Sequence, residues 1–126
     1  MHRSRLAGFI LDCRTDDLER AAQFWSKALG VALKPAAEEP SPLYRQLLTA
    51  PEDLHMEVQK VEHDSRVHID IETDDIEAEA RRLEALGARR VQSVHTWCVM
   101  EAPTGQRFCL VRPQRSGFAE RANVWK

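Results

Sequence analysis

Residues 8–19, GFILDCRTDDLE, recur in altered form at residues 66–77 as RVHIDIETDDIE, so the chain is expected to fold as two copies of one unit. In the later copy Val67, Ile69 and Ile71 alternate with His68, Asp70 and Glu72, the two-residue period of a strand with one apolar and one polar face. The earlier copy sets Phe9, Leu11 and Cys13 against Ile10, Asp12 and Arg14. Alternation stops at Thr-Asp-Asp in both copies, and helical spacing follows. The repeated unit is strand, tight turn, helix.

Read in order, the first strand spans about Leu6 to Arg14. Asp16 is placed to cap a helix, with Glu19 three residues on to complete a capping box. Leu18, Ala21, Ala22, Trp25, Ala28 and Leu29 form one apolar stripe, Phe24 and Trp25 read as core, and Gly30 supplies a left-handed stop. Residues 31–36 read as a short edge strand because Pro35 lacks an N–H. Residues 37–42, AEEPSP, form an exposed loop. Strands follow at 44–49 and 54–61, around a turn at 50–53. The second copy keeps the order: Asp74 as cap with Glu77, a stripe of Ile76, Ala80, Leu83 and Leu86, a stop at Gly87, then strands at 88–93, 97–102 and 106–112. Each half is therefore βαβββ. The chain reads as a single domain over residues 1–126, with module one at about 5–61, module two at about 66–112 and a tail from 113 to 126.

Charge and cysteine usage narrow the function classes. A formal net charge of −2 with interspersed signs gives no electrostatic case for nucleic acid or for an anionic membrane surface. No apolar run approaches the roughly 20 residues that cross a bilayer, and the start MHRSRLAGFILDC has no secretory pattern. Cys13, Cys98 and Cys109 are odd in number and lack CxxC spacing, which suits reduced thiols in the cytoplasm. A small-molecule protein fits best.

Three stretches carry a resemblance to a known group: DDLERAAQFWSKALG, VHIDIETDDIEAEARRLEALGARRV and WCVMEAPTGQRFCLV. They resemble the small glyoxalase-like members of the vicinal oxygen chelate superfamily, which holds glyoxalase I, bleomycin resistance proteins and extradiol dioxygenases. The resemblance covers residues 5–112 and implies an α+β fold in which two βαβββ modules form a curved mixed sheet around a cleft, helices outside. It further implies that the first and last strands of each module carry metal ligands. Carried over residue by residue, those positions hold Ile10, Glu57, His68 and Cys109. Isoleucine cannot coordinate, and a thiol stands where the family usually has glutamate, so true glyoxalase I activity is not expected.

Glu57, His68 and Cys109 remain as a carboxylate, imidazole and thiolate set, with Glu57 or His68 as the catalytic base if the protein is an enzyme. Alternation places Asp12, Arg14, His55, Gln59, Asp70, Glu72 and Arg107 on the same side, while Met56, Val58, Phe108 and Leu110 point to the helices. Asp12, Arg14, His55, Asp70, Trp97 and Arg107 are the expected ligand contacts, with Trp97 either cleft wall or core. Plainer roles exist: His68, Asp70 and Glu72 as a solvated sheet face, Glu57 paired with Arg14 or Arg107, and Cys109 as a small apolar residue. The expected function is binding of an organic molecule at a degenerate metal site, with a lyase, isomerase or dioxygenase as the alternative. No resident cofactor is expected, and weak zinc binding is the most the donors would support. Phe118, Ala122 and Trp125 recur at helical spacing in a tail too apolar for a free end, which points to a homodimer.

Overall fold

The computed structural model describes residues 1–94 and 96–126. It is a mixed α+β chain of eight strands and three helices among the described residues. Two compact units divide it: one comprises Phe9–Val67, the other Met1–Gly8 with His68–Lys126. The first strand, β1 (His2–Arg14), contributes to both.

The unit of residues 9–67 contains the second half of β1, helix α1 (Leu18–Leu29), β2 (Tyr44–Leu47) and β3 (His55–Val61), with strand order β2-β3-β1. The Thr-Asp-Asp turn works one residue later than expected. Asp17, not Asp16, caps α1 by accepting from the Arg20 N–H at 3.0 Å, while Thr15 Oγ1 accepts the Asp17 N–H at 3.0 Å. Glu19 makes no capping box; it accepts from Gln23 and Arg45. Gly30 ends the helix at φ 68°, as expected. Leu11, Ala22, Leu47 and Val58 form the core, with Leu18, Trp25 and Met56 packed on it. Phe24 is not core: its ring is exposed and meets Trp25 edge-on at 5.1 Å. The expected strand at 31–36 shrinks to one bridge, Leu33 to Leu47, because Pro35 has no N–H to extend the ladder and residues 36–38 coil into a 3-10 turn.

The other unit contains the first half of β1 with β4 (Arg66–Thr73) from His68 onward, α2 (Ile76–Ala85), β5 (Arg89–Val94), β6 (Trp97–Glu101), β7 (Arg107–Val111), α3 (Phe118–Arg121) and β8 (Asn123–Trp125). Its strand order is β1-β4-β7-β6-β5, with β4 and β7 parallel and β8 antiparallel to β1. Asp75 caps α2 by accepting from the Ala78 N–H at 3.0 Å, again one residue after the expected Asp74, whose carboxylate instead accepts the Arg3 N–H at 2.8 Å. Glu77 goes to Arg81 and Arg90. Ala80, Cys98, Met100 and Leu110 are buried together under Ile71, Ile76, Leu83 and Phe108, each large aliphatic contributing about 2 kcal/mol by leaving water. Leu86 falls just past the helix and is exposed.

The tail is one short helix followed by a strand, not a continuous helix. It breaks at Ala122, whose extended backbone at φ −69° and ψ 149° leaves the helix, and residues 123–125 then add to β1. Trp125 lies over the Arg82 guanidinium at 3.9 Å and donates its Nε1–H to Ser4 Oγ at 2.8 Å. The apolar tail is thus covered by its own chain.

Candidate functional site

The pleat of β4 puts Val67, Ile69 and Ile71 on one side and His68, Asp70 and Glu72 on the other. Burial is the reverse of what an ordinary half-buried strand would show. Asp70 and Glu72 are 6% and 0% exposed, whereas Val67 and Ile69 are 59% and 49% exposed. The plainer expectation of a solvated polar face therefore fails for these carboxylates.

Glu72 has a structural occupation. It accepts from Arg5 Nε at 2.5 Å, from the Gln114 N–H at 2.6 Å and from the Arg115 N–H at 3.1 Å. Arg5 also donates to the carbonyls of Ser116, Arg115 and Gly117, so this ion pair clasps the tail. Asp70 is different: its buried Oδ1 accepts no hydrogen bond, and His68 Nε2 stands 3.5 Å away. Cys109 is the direct partner of Asp70 in the parallel register of β4 and β7. Among the described residues His68, Asp70 and Cys109 form the one group whose potential ligand atoms all lie within 4.8 Å of one another. Imidazole, carboxylate and thiol so placed can share a cation, relay a proton or hold the polar end of a ligand.

Trp97 and Arg107, the other expected contacts in this unit, are the first residues of β6 and β7. Arg107 donates to Glu101 at 3.1 Å, and Trp97 is 38% exposed. In the unit of residues 9–67, His55 Nε2 lies 2.9 Å from Glu57 Oε1, so Glu57 pairs with its own strand neighbour rather than with Arg14 or Arg107. Arg14 instead donates to Asp64 at 2.9 Å, and Asp12 is buried with Arg66 Nε 3.8 Å from it. Ile10 is 3% exposed and offers no donor atom, so the full ligand set that the resemblance implied does not fit this chain. Cys13 is half-buried, and burial pushes its thiol pKa up, which makes it a poor nucleophile.

A pocket of about 490 Å³ lies elsewhere in that unit, lined by Leu18, Glu19, Ala36, Glu39, Pro40, Ser41, Pro42, Tyr44 and Arg45. None of these residues stands out as a site in the sequence. Reading the sequence also missed a buried charge cluster: Glu79 is fully buried, 2.8 Å from His2 Nε2 and gripped by Arg82 at 2.8 and 2.9 Å. One signal was available. Glu79 sits three residues after Ile76 and four before Leu83, on the buried stripe of α2, where an acid needs a partner.

The order of strands and helices is that of a glyoxalase-like fold, as in the vicinal oxygen chelate superfamily. The sequence matches the Glyoxalase-like domain family over residues 8–111, and the chain belongs to that family. Solved structures agree in fold. A hypothetical protein from Bacillus halodurans C-125 is similar with a TM-score of 0.64 at 11% identity, covering 90% of this chain and 97% of that one. Methylmalonyl-CoA epimerase from Mycobacterium tuberculosis is similar with a TM-score of 0.60 at 16% identity, covering 86% and 87%. A variant of the Streptomyces coelicolor methylmalonyl-CoA epimerase, in complex with 2-nitronate-propionyl-CoA, gives 0.57 at 16% identity over 86% and 96%. At such identities the likeness is one of fold. No curated protein matches the chain.

Proposed function

We propose that the protein binds a small organic molecule through the polar face of β4 and β7, with His68 and Asp70 as the polar anchors. The observation that carries this reading is Asp70: a carboxylate 6% exposed whose Oδ1 accepts no hydrogen bond. Leaving such an atom without a hydrogen bond costs about 1–3 kcal/mol, a cost that a donor group of a bound molecule would remove. Cytoplasmic residence is part of the proposal, supported by three cysteines that form no disulfide. Among the described residues no helix is long and apolar enough to cross a membrane. A homodimer is also proposed, supported by Leu6 and Ile69, which stay 44% and 49% exposed on strands of one unit. Light scattering that returned a single-chain mass at micromolar concentration would refute the dimer.

Thermal-shift screening of metabolites and antibiotics tests the binding reading. At least one compound should raise the Tm of the wild type and raise that of His68→Gln by clearly less. Equal shifts in both proteins, or none in either, would remove the basis for a site here. The imidazole beside a carboxylate also favours a second reading, an isomerase or lyase with His68 as base, since that pairing can hold the ring in one orientation as a proton acceptor. Exchange of a ligand's acidic C–H with deuterated water, lost in His68→Gln, would distinguish turnover from binding.

A further inference from the structure

We infer that the hollow between the first turn of α1 and the loop leading into β2 is a binding site of its own, for a small organic cation with an apolar body. It lies within the unit of residues 9–67, whereas His68 and Asp70 belong to the other unit. Arg45 and Leu47 project from one side of β2, and Leu47 packs with Leu18, Ala22 and Trp25 of α1, so the hollow is on the helix-bearing side of this strand. The family resemblance implied a cleft with the helices outside it. This hollow is therefore not that cleft.

The loop is tied down around the hollow. The Lys34 N–H donates to the Gln46 carbonyl at 2.9 Å, the Glu39 carboxylate accepts the Gln46 N–H, and Arg45 Nη2 donates to the Lys34 carbonyl at 3.0 Å. Pro40 and Pro42 remove further backbone freedom, so a ligand meets a wall that is already in place. The space left is about 490 Å³, inside the range of about 300–1,000 Å³ that small-molecule sites occupy. Leu18, Ala36, Pro40, Pro42 and Tyr44 give it apolar walls.

Charge selects the ligand. Among the described residues three charged side chains line the space, Glu19, Glu39 and Arg45, which leaves one negative charge in excess. Arg45 is buried and committed: Nη1 donates to Glu19, Nη2 to Lys34, and Nε stands 3.8 Å from Glu39. Its charge is neutralised within the wall, so an anion would gain little from it while meeting two carboxylates. The positive end of α1 is occupied too, by the Asp17 carboxylate. Glu19 is the charged group a ligand can reach. Its side chain is 56% exposed, and hydrogen bonds from Gln23 and Arg45 lower its pKa, so it is ionised at neutral pH. A carboxylate has about four acceptor positions, which leaves room for an ammonium N–H beside those two donors.

The test titrates the full, isotope-labelled chain at neutral pH with phenethylamine, phenethyl alcohol and phenylpropionate, which share a ring and differ in charge, and follows the backbone amide shifts. We expect phenethylamine to give saturable shifts at Leu18, Glu19, Ala36, Ser41, Tyr44 and Arg45, and the alcohol and the propionate to bind at least about threefold more weakly, the worth of one ion pair at a half-exposed carboxylate. Glu19→Gln should weaken phenethylamine binding by about the same factor. Ala36→Trp, at an exposed lining position, fills the hollow and should weaken binding by about tenfold or more. The amide spectra report whether each variant is folded, and if Glu19→Gln is not, the three probes on the wild type and Ala36→Trp decide. No saturable shift at these residues, equal or tighter binding of the alcohol or the propionate, or undiminished binding in the folded variants would each overturn the inference. Shifts at His68 and Asp70 report on the other unit and leave the two readings distinguishable.

Discussion

Glu79 offers the sharpest test of the packing. Burial of this carboxylate pushes its pKa up, but hydrogen bonds from Arg82, His2 and Ser4 together with the Arg82 charge outweigh that and lower it from 4.5 to about 2. Between those two values the unfolded chain binds a proton that the folded chain does not, so stability rises with pH across that window. The contribution is fully present above pH 4.5 and is lost as the pH falls towards 2. At about 1.4 kcal/mol per pH unit, the depression corresponds to about 3 kcal/mol, or a shift of about 10 °C in Tm for a chain of this size. Exposed pairs such as Glu77 with Arg90 and Glu101 with Arg89 also have lowered carboxyl pKa values, but ion pairs at the surface contribute little. Urea unfolding of wild type and Glu79→Gln at intervals from pH 7 to 2 isolates the buried group. The wild type should lose about 3 kcal/mol more than Glu79→Gln over the acid limb. Parallel pH profiles would refute the claim that this buried carboxylate is charged and held by its partners.

Further expectations follow from the same structure. Trp125→Ala should cost about 2 kcal/mol in urea unfolding, since it removes both the ring over Arg82 and the hydrogen bond to Ser4; an unchanged midpoint would show that the tail does not dock on its own chain. Leu110→Ala, at a fully buried position, should cost about 2–5 kcal/mol, and a smaller loss would place Leu110 outside the core. Gly30→Ala should destabilise by about 1 kcal/mol through its φ of 68° alone, because an added Cβ meets nothing within 4 Å. A neutral result there would contradict the left-handed stop.

The order of elements was legible because it rests on local chemistry. Alternation in RVHIDIET, helical spacing after Asp-Asp and glycine stops each report on a few neighbouring residues, and the repeat doubles the signal. Failures came where the decision was one residue wide or was made by a distant partner. Asp16 and Asp17 are equally good caps on paper; Thr15 decides, since its hydroxyl takes the Asp17 N–H and fixes the turn, as Thr73 does for Asp75. Phe24 lies beside Trp25 in sequence but about 100° around the helix, so only one of them can face the core.

The polar face of β4 shows why the candidate site was only half legible. The alternation identifies His68, Asp70 and Glu72 as sharing a face but does not say what covers them, because Arg5 and the tail lie far off in the chain. Once covered, the three cease to be equivalent. Glu72 gains a guanidinium and two backbone N–H groups and becomes a clasp, whereas Asp70 Oδ1 is buried with no hydrogen bond next to His68. Burying an oxygen that accepts no hydrogen bond is costly, and burial with three donors is stabilising, so the same residue class on the same face divides into a clasp and a candidate site. It is the distribution of partners, and not the residue types along the strand, that separates Asp70 from Glu72.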